Sequence, residues 1–246
     1  MAVVAPPPHR SRLRVFLAVV GALLTLVFIG IGALLLLDAA ARHTSSTTTR
    51  YANVRTLIVQ TGAGDVSLNS APAGSAVIVR TSQTKSLFKP KVRSRMTGAG
   101  TLVLTASCPN QLGCGVRYVL LVPQDVAIKV SSGFGGIHAA DLTSTSSIQL
   151  GTTAGSIDAN GLNAPDIRLS TGLGDLTAVV TEPARRLTAR TVAGGLNLTV
   201  PDVTYALHAS SGVGHVSDGS VRVDPSATHS IDARSSLGDL TITVGR

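Results

Sequence analysis

One short glycine turn recurs down the second half of this chain at a nearly fixed spacing. Each copy runs Ser or Thr, Gly, any residue, Gly, a small or polar residue, then Val, Ile or Leu. The copies read TGAGDV, SSGFGGI, TTAGSI, STGLGDL, TVAGGL, SSGVGHV and RSSLGDL. Their shared glycines are Gly64, Gly135, Gly155, Gly174, Gly194, Gly214 and Gly238, and from Gly135 onward the steps are 20, 19, 20, 20 and 24 residues. A constant period of this size marks stacked copies that share one continuous core. Gly-x-Gly between strands permits positive φ and a close approach of backbones where a Cβ would clash. Regular recurrence then places the turns in register along one edge of the domain. Asp65, Asp175 and Asp239 each follow the second glycine, where a carboxylate accepts hydrogen bonds from turn amides.

The segments between the turns read as strands. TLIVQT, DVSLNS, SAVIVRTS, TLVLTAS and RYVLLVPQ are short, rich in β-branched residues and bounded by turn residues. Apolar and polar residues alternate, as at Ile167, Leu169, Leu176 and Ala178, so one face looks inward and one outward. Aromatic residues make up only 3% of the chain and there is no Trp, which suits thin layers of Val, Ile, Leu and Ala. Residues 54–246 are therefore expected to form an all-β domain with two strands per repeat.

The chain ahead of the repeats has a different character. Val15 to Leu37 is uncharged and lacks Pro, and it is preceded by Arg10, Arg12 and Arg14. At 1.5 Å per residue this run spans a hydrocarbon core of about 30 Å. It predicts a transmembrane helix over 15–37, with a disordered basic cytoplasmic tail over 1–14. The positive-inside rule puts everything after Asp38 outside the cell. The alternative is a cleaved signal peptide ending at Ala39-Ala40-Ala41, although secretory apolar regions are shorter, about 7–15 residues. HTSSTTTRYAN lies within 38–53, which reads as a polar linker.

Two local features interrupt the regular pattern, in an insert at about 83–117. Cys108 and Cys114 are the chain's only cysteines and flank CPNQLGC. In an oxidising compartment they read as a disulfide closing that loop, with free thiols as the alternative. Charge is also uneven. Residues 1–124 hold 13 Lys/Arg and 2 Asp/Glu, whereas 125–246 hold 8 and 11. Within KSLFKPKVRSR, Lys85, Lys89, Lys91, Arg93 and Arg95 occur with no acid between Asp65 and Asp125. Outside a bacterial cell such a cluster suits anionic lipid head groups or wall polymers, each cation contributing about 1 kcal/mol near a charged surface. The alternative is a solvated loop.

Successive copies of S-G-x-G-D-[ILV] behind one N-terminal anchor resemble the bacterial family labelled "putative adhesin", whose β-domain is called a toast-rack. The phrases VAIKVSSGFGGIHAADL, IRLSTGLGDL and IDARSSLGDLTITV carry the resemblance best, and it spans residues 54–246. It implies a right-handed, solenoid-like stack of β-repeats, an extracytoplasmic position, and links to surface interaction or envelope stress. That family has no agreed catalytic residues to carry over. This chain departs from the pattern in its basic insert, its cysteine loop, and the copies where Gly, Ser or His replaces the motif Asp.

Other chemistries fit poorly. A glycosidase needs two carboxylates about 5–10 Å apart. Asp175 and Asp239 are three repeats apart in sequence, which predicts about 15 Å at the usual strand spacing. Calcium β-rolls repeat an Asp every nine residues, and here the period is near 20. His138, His208, His215 and His229 show no zinc-ligand spacing. No Ser/His/Asp triad is nominated, and no helix follows the glycine turns to receive a phosphate. The expectation is a non-catalytic, membrane-anchored envelope or adhesin-like module. It needs no cofactor or metal, and its partners are the membrane, an anionic polymer or another envelope protein, not nucleic acid. A polysaccharide-active β-helix enzyme and an accessory subunit of an envelope-stress sensor are the rival readings.

Overall fold

The computed structural model describes residues 19–32, 43–85, 90–108, 115–219 and 221–245. Two compact units divide at Arg42 and His43. In the first unit, residues 19–32 form helix α1, with its side chains almost all exposed. Its polar residue, Thr25, donates through Oγ1 to the Gly21 carbonyl at 2.8 Å. The helix is about 20 Å long at the usual rise. No helix among the described residues is long and apolar enough to cross a membrane. The remainder of the 15–37 run, and the 1–14 tail, lie outside the described residues.

The second unit is all-β. Its N-terminal strands are β1 (His43–Tyr51), β2 (Thr56–Ala63), β3 (Val66–Ala71), β4 (Val77–Lys85), β5 (Lys91–Thr97), β6 (Thr101–Ser107) and β7 (Gly115–Pro123). The regular repeats follow as β8 (Ala127–Phe134) and β9 (Ile137–Ala140), β10 (Ser147–Ala154) and β11 (Ile157–Leu162), then β12 (Asp166–Leu173) and β13 (Leu176–Val180). Next come β14 (Arg186–Ala193) and β15 (Leu196–Val200), β16 (Thr204–Val213) and β17 (Val216–Ser217), β18 (Arg222–Val223), and finally β19 (His229–Leu237) and β20 (Leu240–Val244).

Each repeat sends its first strand to one ten-stranded sheet, B, and its second to another, A. Successive rungs pair in parallel and in register, so Ile128, Ile148 and Ile167 stand in one column, as do Ile137, Ile157 and Leu176. These columns are fully buried and form one narrow core between the sheets. The alternation in sequence produces this layering directly, because period two sends every second side chain to the shared interior.

Rung order departs from chain order at both ends. In sheet B the order runs β18-β16-β19-β14-β12-β10-β8-β2-β6-β5. The last repeat, β19 and β20, therefore sits between the two repeats that precede it. At the other end, β6 and β7 form an outer rung beyond β2 and β3, and β8 and β9 lie on their far side. Tyr118 on β7 and Tyr205 on β16, both inward-facing, are the largest fully buried side chains among the described residues.

Two stretches expected to be irregular are strands. His43–Tyr51, read as part of a polar linker, pairs antiparallel with β4 along its whole length. Its residues 44–50 are exposed, and an edge strand solvated on both faces carries no hydrophobic alternation to betray it. Lys91–Thr97 of the expected insert is edge strand β5, antiparallel to β6.

Candidate functional site

The repeat motif's polar groups serve the frame. Gly135 has φ 137°, and a Cβ built on it would overlap the Gly64 carbonyl. Gly174 stands in the same relation to Gly155, so the turns stack backbone on backbone. A hydroxyl three residues ahead of six of the seven turn glycines donates to the neighbouring rung's glycine carbonyl. Thr152 reaches Gly135 at 3.0 Å, Thr171 reaches Gly155 at 2.8 Å and Ser211 reaches Gly238 at 2.8 Å. The motif acids act likewise: Asp65, Asp175 and Asp239 accept from the backbone N–H of Gly136, Gly195 and His215 at 3.2, 2.8 and 2.9 Å. Each acid thus bonds to the adjacent rung's turn.

The rung swap corrects one spacing. β20 is the direct neighbour of β15, which neighbours β13, so Asp175 and Asp239 are two rungs apart, not three. That is about 10 Å at the usual strand spacing, against the expected 15 Å. Ser67, His138 and Asp158 also become register neighbours, on the outer face of sheet A. No hydrogen bond links these three, and the His138 ring leans toward the turn at Gly136. Of the other histidines, His208 stands opposite Asp232, the His215 Nδ1 lies 3.7 Å from Asp239, and His229 contacts the Ala184 carbonyl at 3.1 Å.

The basic cluster is only partly within the described residues. Lys89 lies outside them, and Lys85 ends β4. Lys91, Arg93 and Arg95 alternate along β5 and are exposed on the outward face of sheet B. Register extends this patch across the sheet. One row runs Arg95, Val103, Ile58, Lys129, Gln149 and Arg168. The next carries Arg93 at the edge and Arg190 and Arg234 toward the other end.

The two acids on this face are already engaged. Asp166 holds Arg185 at 2.8 Å and Arg186 at 3.7 Å, and Asp232 holds Arg234 at 2.7 Å and Arg190 at 3.1 Å. Lys91, Arg93, Arg95, Lys129 and Arg168 have no acidic partner among the described residues. Beside the row of Arg95, Lys129 and Arg168, toward the glycine turns, lies a shallow hollow floored by Gly62, Thr105, Ser131 and Gly133 across β6, β2 and β8. A second hollow beyond Lys129 is lined by Ser147, Gln149, Arg168 and Thr188, together with the Asp166–Arg186 pair. Sequence reading missed Lys129 and Arg168 because they lie far from KSLFKPKVRSR along the chain. Their signal was the shared position between two inward apolar residues, IKV and IRL.

Residues 39–243 match the family described as Toastrack DUF4097. The chain belongs to that family. A crystal structure of a "putative cell adhesion protein" from Clostridium sporogenes superposes with a TM-score of 0.53 at 12% identity, covering 82% of this chain and 100% of that one. A "putative adhesin" from Bacteroides fragilis covers 82% of this chain and 97% of its own, at 11% identity and a TM-score of 0.36. Among curated proteins, none matches. The first of these similarities concerns the fold.

In this Toastrack chain the sequence between β6 and β7, residues 108–114, carries no copy of the glycine motif, and residues 109–114 lie outside the described residues. Thr61 Oγ1, the equivalent of the donating hydroxyls in the other copies, is buried without a partner among the described residues. No described cysteine is a free thiol, and Cys114 lies outside the described residues.

Proposed function

We propose that this Toastrack protein is an extracytoplasmic, adhesin-like interaction module, tethered by the 15–37 segment with its N-terminus in the cytoplasm. It binds a component of the cell envelope and does not transform it. One observation carries this reading: the carboxylates and hydroxyls of the repeat motif are bonded to neighbouring rungs. What remains for function is a pair of broad, solvent-facing sheet surfaces on a rigid frame. The name given to the Clostridium sporogenes structure agrees with such a role. The same placement calls for a disulfide between Cys108 and Cys114.

A polysaccharide-active enzyme is the second reading, favoured by the two-rung spacing of Asp175 and Asp239. Incubating the full-length chain in neutral-lipid nanodiscs with isolated envelope material separates the two. Retention without product release, unchanged in D175N/D239N, is expected. Turnover that disappears in that variant would replace the binding role with the enzymatic one. In intact cells, Cys108 and Cys114 should resist an impermeant alkylating reagent until reductant is added. Immediate labelling of both would refute the disulfide.

A further inference from the structure

We propose that the outer face of sheet B docks an extended anionic polymer, a chain bearing phosphate or carboxylate on successive units, laid across the strands along the stack axis. The inference rests on the interaction-module reading and gives it a ligand class. Its basis is the set of five cations that have no acidic partner among the described residues, Lys91, Arg93, Arg95, Lys129 and Arg168, all exposed on one face.

Edge protection explains part of this set. Charges on an outermost strand discourage pairing with another chain, and β5 is outermost. Lys129 and Arg168 lie on the fourth and sixth strands from that edge, where there is no edge to guard. They stand in the same row as Arg95, so the positive charge continues inward along the direction of stacking.

The relief of the face distinguishes a chain from a plane. Two hollows flank the cationic row: one beside it toward the glycine turns, across β6, β2 and β8, and the other around Arg168, where Asp166 and Arg186 also form the wall. Gly62 and Gly133 keep the first floor low, and Thr105, Ser131 and Ser147 offer hydroxyls within it and its neighbour. A flexible polymer can dip into successive hollows and place its anions at the flanking cations. A lipid surface touches only the rims. Sheet A offers no comparable array among the described residues, because its exposed cations Arg50, Arg80 and Arg117 lie on the three strands at one end and Arg117 is paired with Asp65.

The test uses the full-length chain in phosphatidylcholine nanodiscs, titrated with long-chain polyphosphate and with polygalacturonate, against neutral dextran. Binding to at least one polyanion should fall steeply as salt rises through the physiological range, and dextran should not bind. K129Q/R168Q should weaken polyanion binding at least about tenfold, a loss of about 1.4 kcal/mol. R168K alone should retain it. R50Q/R80Q removes the same net charge from the other sheet and should change binding less than about twofold. Thermal melts confirm that all variants fold.

Equal losses in both double variants would overturn the inference in favour of net charge. Preference for phosphatidylglycerol vesicles over both polymers would overturn it in favour of lipid. Retention on envelope material that is indifferent to K129Q/R168Q would remove the polyanion while leaving the interaction module standing.

Discussion

Tyr118 and Tyr205 are both sealed in the core, at 1% and 2% exposure, yet their hydroxyls fare differently. Tyr205 donates to the Pro201 carbonyl at 3.2 Å, whereas the Tyr118 hydroxyl is buried without a partner among the described residues. Losing a made hydrogen bond costs about 1 kcal/mol, and removing an unmet one costs nothing or stabilises. Tyr205→Phe should therefore lower thermal stability, and Tyr118→Phe should leave it equal or higher. Burial pushes both phenols up to about 12 from 10.0, with Tyr51 adding to the effect at Tyr118 and Asp202 at Tyr205. The unfolded chain then ionises first as pH rises, so their contribution is intact below pH 10.0 and is lost as pH climbs toward about 12. Melts at pH 7 and pH 11 should show that loss reduced in Y118F. The turn glycines were legible at this scale, because positive φ and stacked backbones leave glycine as the fitting residue. The hydroxyl-to-carbonyl ladder was not, since each bond joins residues of different repeats.

At the scale of the element, edges explain what sequence patterning missed. β1 and β5 close one end of the stack antiparallel, each covering a strand that would otherwise present free N–H and C=O groups. Their polar or charged composition suits strands facing water, and the absence of alternation made them read as linker and insert. The inner strands were legible for the opposite reason: Leu57 and Val59, or Leu196 and Leu198, must alternate to fill the core. Deleting residues 43–51 uncovers β4, with Ile78 and Arg80 on its open face. The deleted chain should self-associate, which light scattering will detect as a concentration-dependent rise in mass; a monodisperse species of unchanged mass would show that β1 has no shielding role. The cationic face belongs to this scale too. Three of its members were visible as a run, but Lys129 and Arg168 joined them only through parallel register.

Across the whole molecule, the swapped rungs set the pattern of cooperativity. In a linear stack each repeat touches its neighbours in the chain, and trimming the end removes only the end. Here β14 and β16 do not meet; β19 lies between them, bonded to both. Truncation after Asp218 should thus strip β16 and β17 of their support although both remain in the chain. Hydrogen exchange should show Tyr205–Val213 amides losing protection while β10 and β12 keep theirs. Protection retained in β16 would mean that it can pair with β14 directly, in the order the sequence suggests.

By itself the sequence determined the fold class, the strand pairs, the inward residues and the membership of the rack. These follow from local periodicity and from glycines whose conformation few other residues adopt. The tertiary structure decided the order of the rungs, the two-rung approach of Asp175 to Asp239, and the union of Arg95, Lys129 and Arg168 on one face. The physical reason is common to all three. Parallel stacking makes neighbours of residues roughly one period apart, and swapped ends change which rungs are adjacent. The repeat pattern is the same for either rung order; the long-range pairing of β19 with both β14 and β16 selects one.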